Sequence, residues 1–341
     1  MILRDLLKGL DIKNIWGGCD RDINGIAFNS TDVQERYMFV ALRGGRTDGH
    51  RYLREALERG AGALLVETGS AVNTDAAAVI EVDDTRRSLA RVSSNYYGNP
   101  TMDLCLVGIT GTNGKTTVTY LLESIWKAGN QAAGIIGTID YRYPGEKMIS
   151  SMTTPESPEL MRIMSDMNQA GVDKLAMEVS SHALDKDRVL GCNFDAAVFT
   201  NLTQDHLDYH MSMESYLDSK KKLFTELLSA SQKENKHAVI NADDVYGRKI
   251  AQELGDGVIT YSAHDRNCTV YARHAEISRG GIKATVATPS GDIGIDSSMF
   301  GSHNLSNILA AVAAAIFTGS SISSIESVIR DLKAVPGRLE Q

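Results

Sequence analysis

Residues 104–126 constrain the fold of this chain more than any other stretch. Leu104-Cys105-Leu106-Val107-Gly108-Ile109-Thr110 is an apolar run of strand length, and beyond Thr117 the residues Val118, Leu121, Leu122, Ile125 and Trp126 recur at helical spacing. Between them lies Gly111-Thr112-Asn113-Gly114-Lys115-Thr116. The loop therefore joins a strand to a helix, the context in which a glycine-rich loop ending in Lys-Thr binds phosphate. Glycines let backbone N–H groups turn inward on phosphate oxygens, and the helix N-terminus adds partial positive charge. Lys115 would neutralise the β and γ oxygens and Thr116 would hold Mg²⁺, so the segment is expected to bind Mg-ATP. Its spacing departs from G-x-x-x-x-G-K-[ST] in one respect: the first glycine of that pattern falls on Ile109, while glycines stand at 108, 111 and 114.

Further apolar runs at 175–179, 196–200, 238–241 and 258–261 alternate with helical patterns, which predicts a parallel sheet covered on both faces. Ligands of such sheets lie beyond the carboxyl ends of the strands. From 270 to 300 the pattern turns to alternation with Gly280-Gly281 and Gly291 at turns, an antiparallel appendage, and helices are predicted near 304–317 and 322–332. Ahead of the loop, short strands at 25–28, 37–42, 63–67 and 78–82 and helices at 50–59 and 84–97 predict a smaller α/β unit. Tyr97-Gly98-Asn99-Pro100 breaks that pattern. The expected organisation is a domain over 1–99, a second over 100–334, and a linker over 335–341 leading to a further domain that the chain lacks.

A net charge of −8 without a basic cluster argues against a nucleic-acid surface. The longest apolar run, 308–317, is shorter than the roughly 20 residues of a membrane span, and Met1-Ile2-Leu3-Arg4-Asp5 lacks a signal peptide's order, so neither membrane nor export is expected. Cys19, Cys105, Cys192 and Cys268 lack metal or redox spacing and read as reduced thiols. A cytoplasmic monomer is expected.

Three groups after the later strands bear on chemistry. Glu178 ends the 175–179 run and is followed by Ser180-Ser181-His182; a carboxylate there is either a hydrogen-bonded structural residue or a ligand-facing one. Asp205-His206 and Asp208 follow the 196–200 run, where oxygen donors suit Mg²⁺. Lys220 falls in the middle of an apolar helical face with Met213, Tyr216, Leu217, Leu223, Phe224 and Leu227, whereas Lys222 faces outward. Such a lysine either snorkels from the edge or is desolvated into a neutral amine, and a neutral amine beside Mg²⁺ can add CO₂ to become a carbamate.

Together these residues resemble the Mur ligases of peptidoglycan synthesis, most closely the branch that adds the third amino acid to UDP-N-acetylmuramoyl-L-alanyl-D-glutamate. The likeness runs through Phe39-Val40-Ala41-Leu42 with Asp48-Gly49-His50, the glycine-rich loop to Thr117, Thr153-Thr154-Pro155, Glu178-Val179-Ser180-Ser181-His182 and Thr200-Asn201-Leu202 with Asp205-His206-Leu207-Asp208. It continues through Lys220 with Leu223-Phe224, Asn241-Ala242-Asp243-Asp244, and His303-Asn304 with Asn307. The resemblance implies an α/β fold, with a small N-terminal α/β domain for the UDP-sugar followed by a P-loop-type parallel-sheet ATPase domain. It also implies ATP and Mg²⁺ at Gly111, Thr112, Asn113, Gly114, Lys115, Thr116 and Thr117, with Asn304 and Arg338 near the nucleotide. Metal would be held by Thr116, Glu178, His206 and a carbamylated Lys220. Catalysis would rest on Lys115, Glu178, His206 and Lys220. Ser30 with Gly45, Arg46 and Thr47 would meet the UDP-sugar, and Thr153, Thr154, Ser180, Lys186 and Arg188 the muramoyl-dipeptide. Asn29-Ser30-Thr31 stands where the family has Asp-Ser-Arg, Glu35-Arg36 where it has Pro-Gly, and Lys186 where some members carry an amide.

The implied reaction joins a diamino acid, meso-diaminopimelate or L-lysine, to the D-glutamyl carboxylate through an acyl phosphate. The chain alone is expected to turn over little, since the amino acid would dock mainly on the further domain. Other readings of the same loop are a ligase extending a polyglutamate or cyanophycin-like chain, a kinase or NTPase, and a nucleotide-binding scaffold.

Overall fold

The computed structural model describes residues 1–45, 47–205 and 207–331. The chain divides into two compact units that are not contiguous in sequence. The first takes Met1–Pro100 together with Glu156–Ser165 and Lys186–Gly191; the second takes Thr101–Pro155, Asp166–Asp185 and the chain from Cys192. Two short segments within the expected second domain thus group with the first.

In the first unit β1 (Ile12–Trp16), β2 (Gly25–Ala27), β3 (Tyr37–Val40), β4 (Ala63–Glu67) and β5 (Ala78–Val82) form a sheet in the order β1-β5-β4-β3-β2. β2 to β5 run parallel and β1 pairs antiparallel at the edge. Side chains alternate across a strand, so a continuous apolar run feeds two cores. Met38, Val40, Leu65 and Ile80 pack with Leu3, Leu6, Leu89 and Val92 on one face. Phe39, Ala41, Leu64 and Val79 pack with Leu53 and Ala56 on the other. The helix Thr85–Tyr96 starts where Asp84 accepts from the N–H groups of Arg86 and Arg87, at 2.8 and 2.9 Å. The sequence pattern omits β1, an edge strand exposed over most of its length.

The second unit carries an eleven-stranded mixed sheet. Its strands are β6 (Cys105–Thr110), β7 (Ala133–Ile136), β8 (Asp140–Tyr143), β9 (Glu146–Ile149), β10 (Lys174–Glu178), β11 (Ala196–Phe199), β12 (His237–Asn241), β13 (Ile259–Ser262), β14 (Val270–Ser278), β15 (Gly281–Thr288) and β16 (Gly291–Ser297). The order is β16-β15-β14-β13-β12-β11-β6-β10-β7-β8-β9. The strands from β7 through β10, β6, β11 and β12 to β13 are parallel. β14 to β16 are antiparallel to one another, and β14 joins β13 in parallel, so the expected appendage is an extension of the same sheet. A second antiparallel extension, β8 and β9, closes the opposite end and has no counterpart in the sequence reading.

The helices Lys115–Ala128, Ser302–Phe317 and Ile322–Asp331 share one large core with the sheet. The alanine-rich Ser302–Phe317 is buried almost all round, as a helix apolar on every face must be. The apolar helical face read from Met213 to Leu227 belongs to a segment that is α-helical over Met213–Lys222 and π-helical over Leu223–Leu228. Leu223, Phe224, Leu227 and Leu228 are all buried there, a spacing that a wider turn accommodates. Among the described residues no helix is long and apolar enough to cross a membrane.

Candidate functional site: the loop after β6 and its two flanks

β6 lies between β10 and β11, so the loop that leaves its carboxyl end is bracketed by the ends of both neighbours. Two glycines are fixed by sterics. Gly111 sits at φ +147°, where an added Cβ would come within 1.9 Å of the Thr200 hydroxyl; Gly114, at φ +88°, would meet the Asn307 side chain at 2.2 Å. The β11 side holds the loop in shape. Thr112 N–H donates to the Asn201 carbonyl at 2.8 Å, Asn113 N–H to Asn201 Oδ1 at 3.0 Å, and Thr200 Oγ1 to the Asn113 carbonyl at 2.6 Å. Asn304 stands one step back, accepting from Asn307 Nδ2 at 3.3 Å.

Two lysines meet on this loop from elements far apart in sequence. Lys115 Nζ donates to the carbonyls of Gly111 and Thr112 at 2.8 and 2.9 Å, and Lys220 Nζ donates to the same Gly111 carbonyl at 3.0 Å. Lys220 is 1% exposed, and its nitrogen lies 4.4 Å from the centre of the Tyr216 ring. Burial, and then the charge of Lys115, push the Lys220 ammonium well below the usual lysine range, with Asp205 opposing. Its amine is thereby biased toward the neutral, nucleophilic form.

The β10 side is built from oxygen. Glu178 is 1% exposed and lies beside Ile109 of β6. Its Oε1 accepts from Thr138 N–H and its Oε2 from Thr138 Oγ1, both at 3.0 Å. Among the described residues it has no ion-pair partner, so hydrogen bonds alone meet its charge. Thr154 Oγ1 donates to the Glu178 backbone carbonyl at 2.9 Å and lies 3.3 Å from Ser180 Oγ, and Thr153 Oγ1 lies 3.0 Å from Thr138 Oγ1. Thr116 Oγ1 is buried and has no hydrogen-bond partner among the described residues. An orphaned hydroxyl at a phosphate loop and a buried, unpaired carboxylate fit a hard divalent cation. Among the described residues no three His, Cys, Asp or Glu side chains cluster to hold a metal. Thr117, next along the helix, is buried.

In the first unit Ser30 donates to Glu55 at 3.0 Å, and Thr47 Oγ1 lies 3.4 Å from Tyr52 Oη in the turn that carries Gly45. His50 Nε2 accepts from Glu67 N–H at 3.0 Å, which leaves Nδ1 to donate to Asp48 at 2.6 Å. Arg188 pairs with Glu156 at 2.8 Å, and Lys186 lies just ahead of it in the same returning segment. Arg46, His206 and Arg338 lie outside the described residues.

Sequence reasoning gave no role to Thr138. Its signal was present, because Ala133-Gly134-Ile135-Ile136-Gly137-Thr138 repeats the pattern of an apolar run ending in glycine and a hydroxyl. Asn201 stood within a matched segment, without an assigned part.

Comparison with known proteins decides the family. Residues 109–315 match the Mur ligase middle domain, and residues 22–97 match the Mur ligase family catalytic domain. The chain belongs to the Mur ligase family. A UDP-N-acetylmuramoyl-L-alanyl-D-glutamate--2,6-diaminopimelate ligase of Geobacter metallireducens is 44% identical over 342 residues, covering 100% of this chain and 66% of the relative. The enzyme of the same description from Bacillus cereus is 40% identical, over 94% of this chain and 64% of its own. The chain spans about two thirds of the length of the curated relatives it matches. A solved structure of such a diaminopimelate ligase superposes with a TM-score of 0.83 at 25% identity, over 99% of this chain and 68% of that one. A Thermotoga maritima MurF ligase in complex with ADP shares the Mur fold, with a TM-score of 0.60 at 23% identity, over 92% of this chain and 66% of that one.

Proposed function

We propose that this chain carries the ATP-binding and UDP-substrate-binding part of a Mur ligase that joins 2,6-diaminopimelate to UDP-N-acetylmuramoyl-L-alanyl-D-glutamate. The observation that carries the reading is the meeting of Lys115 and Lys220 on the Gly111 carbonyl, at the mouth of a glycine loop between two strand ends. The relatives' shared description supports the choice of substrates. The reading sets the work in the cytoplasm, where ATP and nucleotide-linked precursors are at hand.

In this mechanism Lys115 leaves its resting carbonyls for the β- and γ-phosphates and disperses charge as the D-glutamyl carboxylate oxygen bonds to the γ-phosphorus and ADP departs. Thr116 and Glu178, with His206, would hold Mg²⁺, which when bound would neutralise phosphate oxygens. The amine of Lys220, kept neutral by burial, adds CO₂ with loss of one proton and supplies a further negative group. Thr153, Thr154, Ser180, Lys186 and Arg188 are the residues assigned to the dipeptide. Ser30, Gly45, Arg46 and Thr47 bind the UDP-sugar, and Asn304 and Arg338 complete the nucleotide site. The incoming amine then displaces phosphate from the acyl phosphate.

Titration calorimetry with Mg-ATP and with UDP-N-acetylmuramoyl-L-alanyl-D-glutamate tests this, alongside intact mass in bicarbonate buffer. Binding of both ligands and a gain of one CO₂ that Lys220→Met abolishes are expected. Nucleotide binding without affinity for the UDP-dipeptide would move the chain to another Mur-type ligase, and no nucleotide binding would end the reading.

A further inference from the structure

The grip on Glu178 comes from one residue. Thr138 sends its backbone N–H to one carboxylate oxygen and its hydroxyl to the other, each at 3.0 Å, so the plane of the carboxylate is fixed at two points. Gly137 lets the backbone come this close, since a Cβ there would stand 2.5 Å from Glu178 Oε1. A threonine hydroxyl has a single proton, and an ionised carboxylate can only accept. With that proton given to Glu178, Thr138 Oγ1 accepts from Thr153 Oγ1 at 3.0 Å. One hydroxyl therefore ties the carboxylate to the threonine pair 153–154.

The loop that carries Thr138 joins β7 to β8, and β8 is fastened by a buried charge cluster. Arg142 reaches Glu123 through Nη2 at 2.5 Å and through Nε at 3.0 Å, and its Nη1 bonds the Tyr120 hydroxyl at 2.9 Å. Its guanidinium also lies 4.1 Å from the centre of the Tyr120 ring. Glu123 and Tyr120 belong to the helix Lys115–Ala128 that opens with Thr116, so one frame holds both the orphaned Thr116 hydroxyl and the loop gripping Glu178.

We propose that Thr138 is the positioning residue of the Glu178 carboxylate, setting the orientation in which it meets a divalent cation, and that the Arg142–Glu123 pair fixes the loop from which Thr138 acts. The proposal rests on the reading above that Glu178 faces the cation. Thr138 is itself exposed, so its substitution leaves the core intact.

The test titrates Mg²⁺ into the 341-residue chain with a fluorescent ATP analogue and reads the Mg²⁺ concentration at half-maximal binding. Partners that orient a metal ligand are worth about 10- to 100-fold in metal affinity. Thr138→Ala and Thr138→Val raise the midpoint by about 10-fold or more, leave analogue binding without Mg²⁺ unchanged, and leave the thermal midpoint in place; Thr138→Ser, which keeps both donors, restores the wild-type value. Arg142→Lys keeps the charge, loses the two-pronged contact and moves the midpoint the same way by a smaller factor. An unmoved midpoint in Arg142→Lys would overturn the part assigned to that pair. Glu178→Gln separates the two levels of argument. If it raises the midpoint and the Thr138 variants do not, the positioning role is wrong; if Glu178→Gln itself has no effect, the metal reading beneath it fails.

Discussion

The two sides of β6 present opposite chemistry to the same loop. Lys220, on the helix Met213–Lys222 that follows β11 in the chain, shares the Gly111 carbonyl with the loop's own Lys115 and is buried against an aromatic ring. On the β10 side a buried carboxylate is met by one hydroxyl and one amide, both from Thr138, with no cation beside it among the described residues. The first arrangement sets Lys115 beside an amine that burial drives toward neutrality, with Asp205 opposing; the second holds a carboxylate met by hydrogen bonds. In the function proposed above the anion meets the lysines and the divalent cation meets the carboxylate, so that each ligand would supply charge its flank lacks.

If that contrast is right, variants on the two sides will differ in kind. Lys115→Ala should weaken ATP binding about 10- to 100-fold with or without Mg²⁺, the cost of a lost charge-assisted contact, measured by calorimetry in both conditions. A loss confined to Mg²⁺-containing buffer would break the comparison. Thr116→Val should act only when metal is present, raising the Mg²⁺ requirement by about 10-fold while binding in EDTA stays the same. A drop in EDTA as well would assign Thr116 to phosphate instead.

Lys220→Met sharpens the contrast through stability, with the smallest effect of the three. The folded Lys220 loses its proton at a pH below its ordinary value, so between those two points the unfolded chain binds the extra proton. Stability contributed by this site therefore rises with pH across that window, and is lost as pH falls through the folded value. In CO₂-free buffer Lys220→Met should melt higher than the wild type at pH 7, by about 2–4 °C for each kcal/mol recovered, with the gap closing toward pH 10. A gap that does not change with pH would mean that Lys220 is charged where it lies.

What the sequence made legible follows from how local each signal is. The loop from Gly111 to Thr116 was readable because strand, turn and helix lie within two dozen residues and Gly111 and Gly114 answer to a local backbone demand for positive φ, whereas the neighbours that exclude a Cβ there, Thr200 and Asn307, were not. The phase of a helix was enough to mark Lys220 as inward-facing. The partners of these groups were not legible. Thr138 is 40 residues from Glu178 and meets it only because β7 and β10 are neighbours in the sheet. The strands β1 and β9 escaped because edge strands wet on both faces leave no alternation to read, and the π-helical Leu223–Leu228 because a pattern of buried positions does not by itself fix the turn.

The return of Lys186–Gly191 to the first unit has a consequence for how the protein is made and cut. Gly191 accepts from Ser94 Oγ at 3.2 Å, and a Cβ there would stand 2.9 Å from the Ala90 carbonyl, so this late segment lies close against the helix Thr85–Tyr96. During synthesis the amino-terminal sheet emerges long before that piece leaves the ribosome, and must wait for it with one side of its last helix bare. A fragment ending at Pro100 would keep that wound open permanently, so the two halves of this chain are separable on paper but not with a single protease nick.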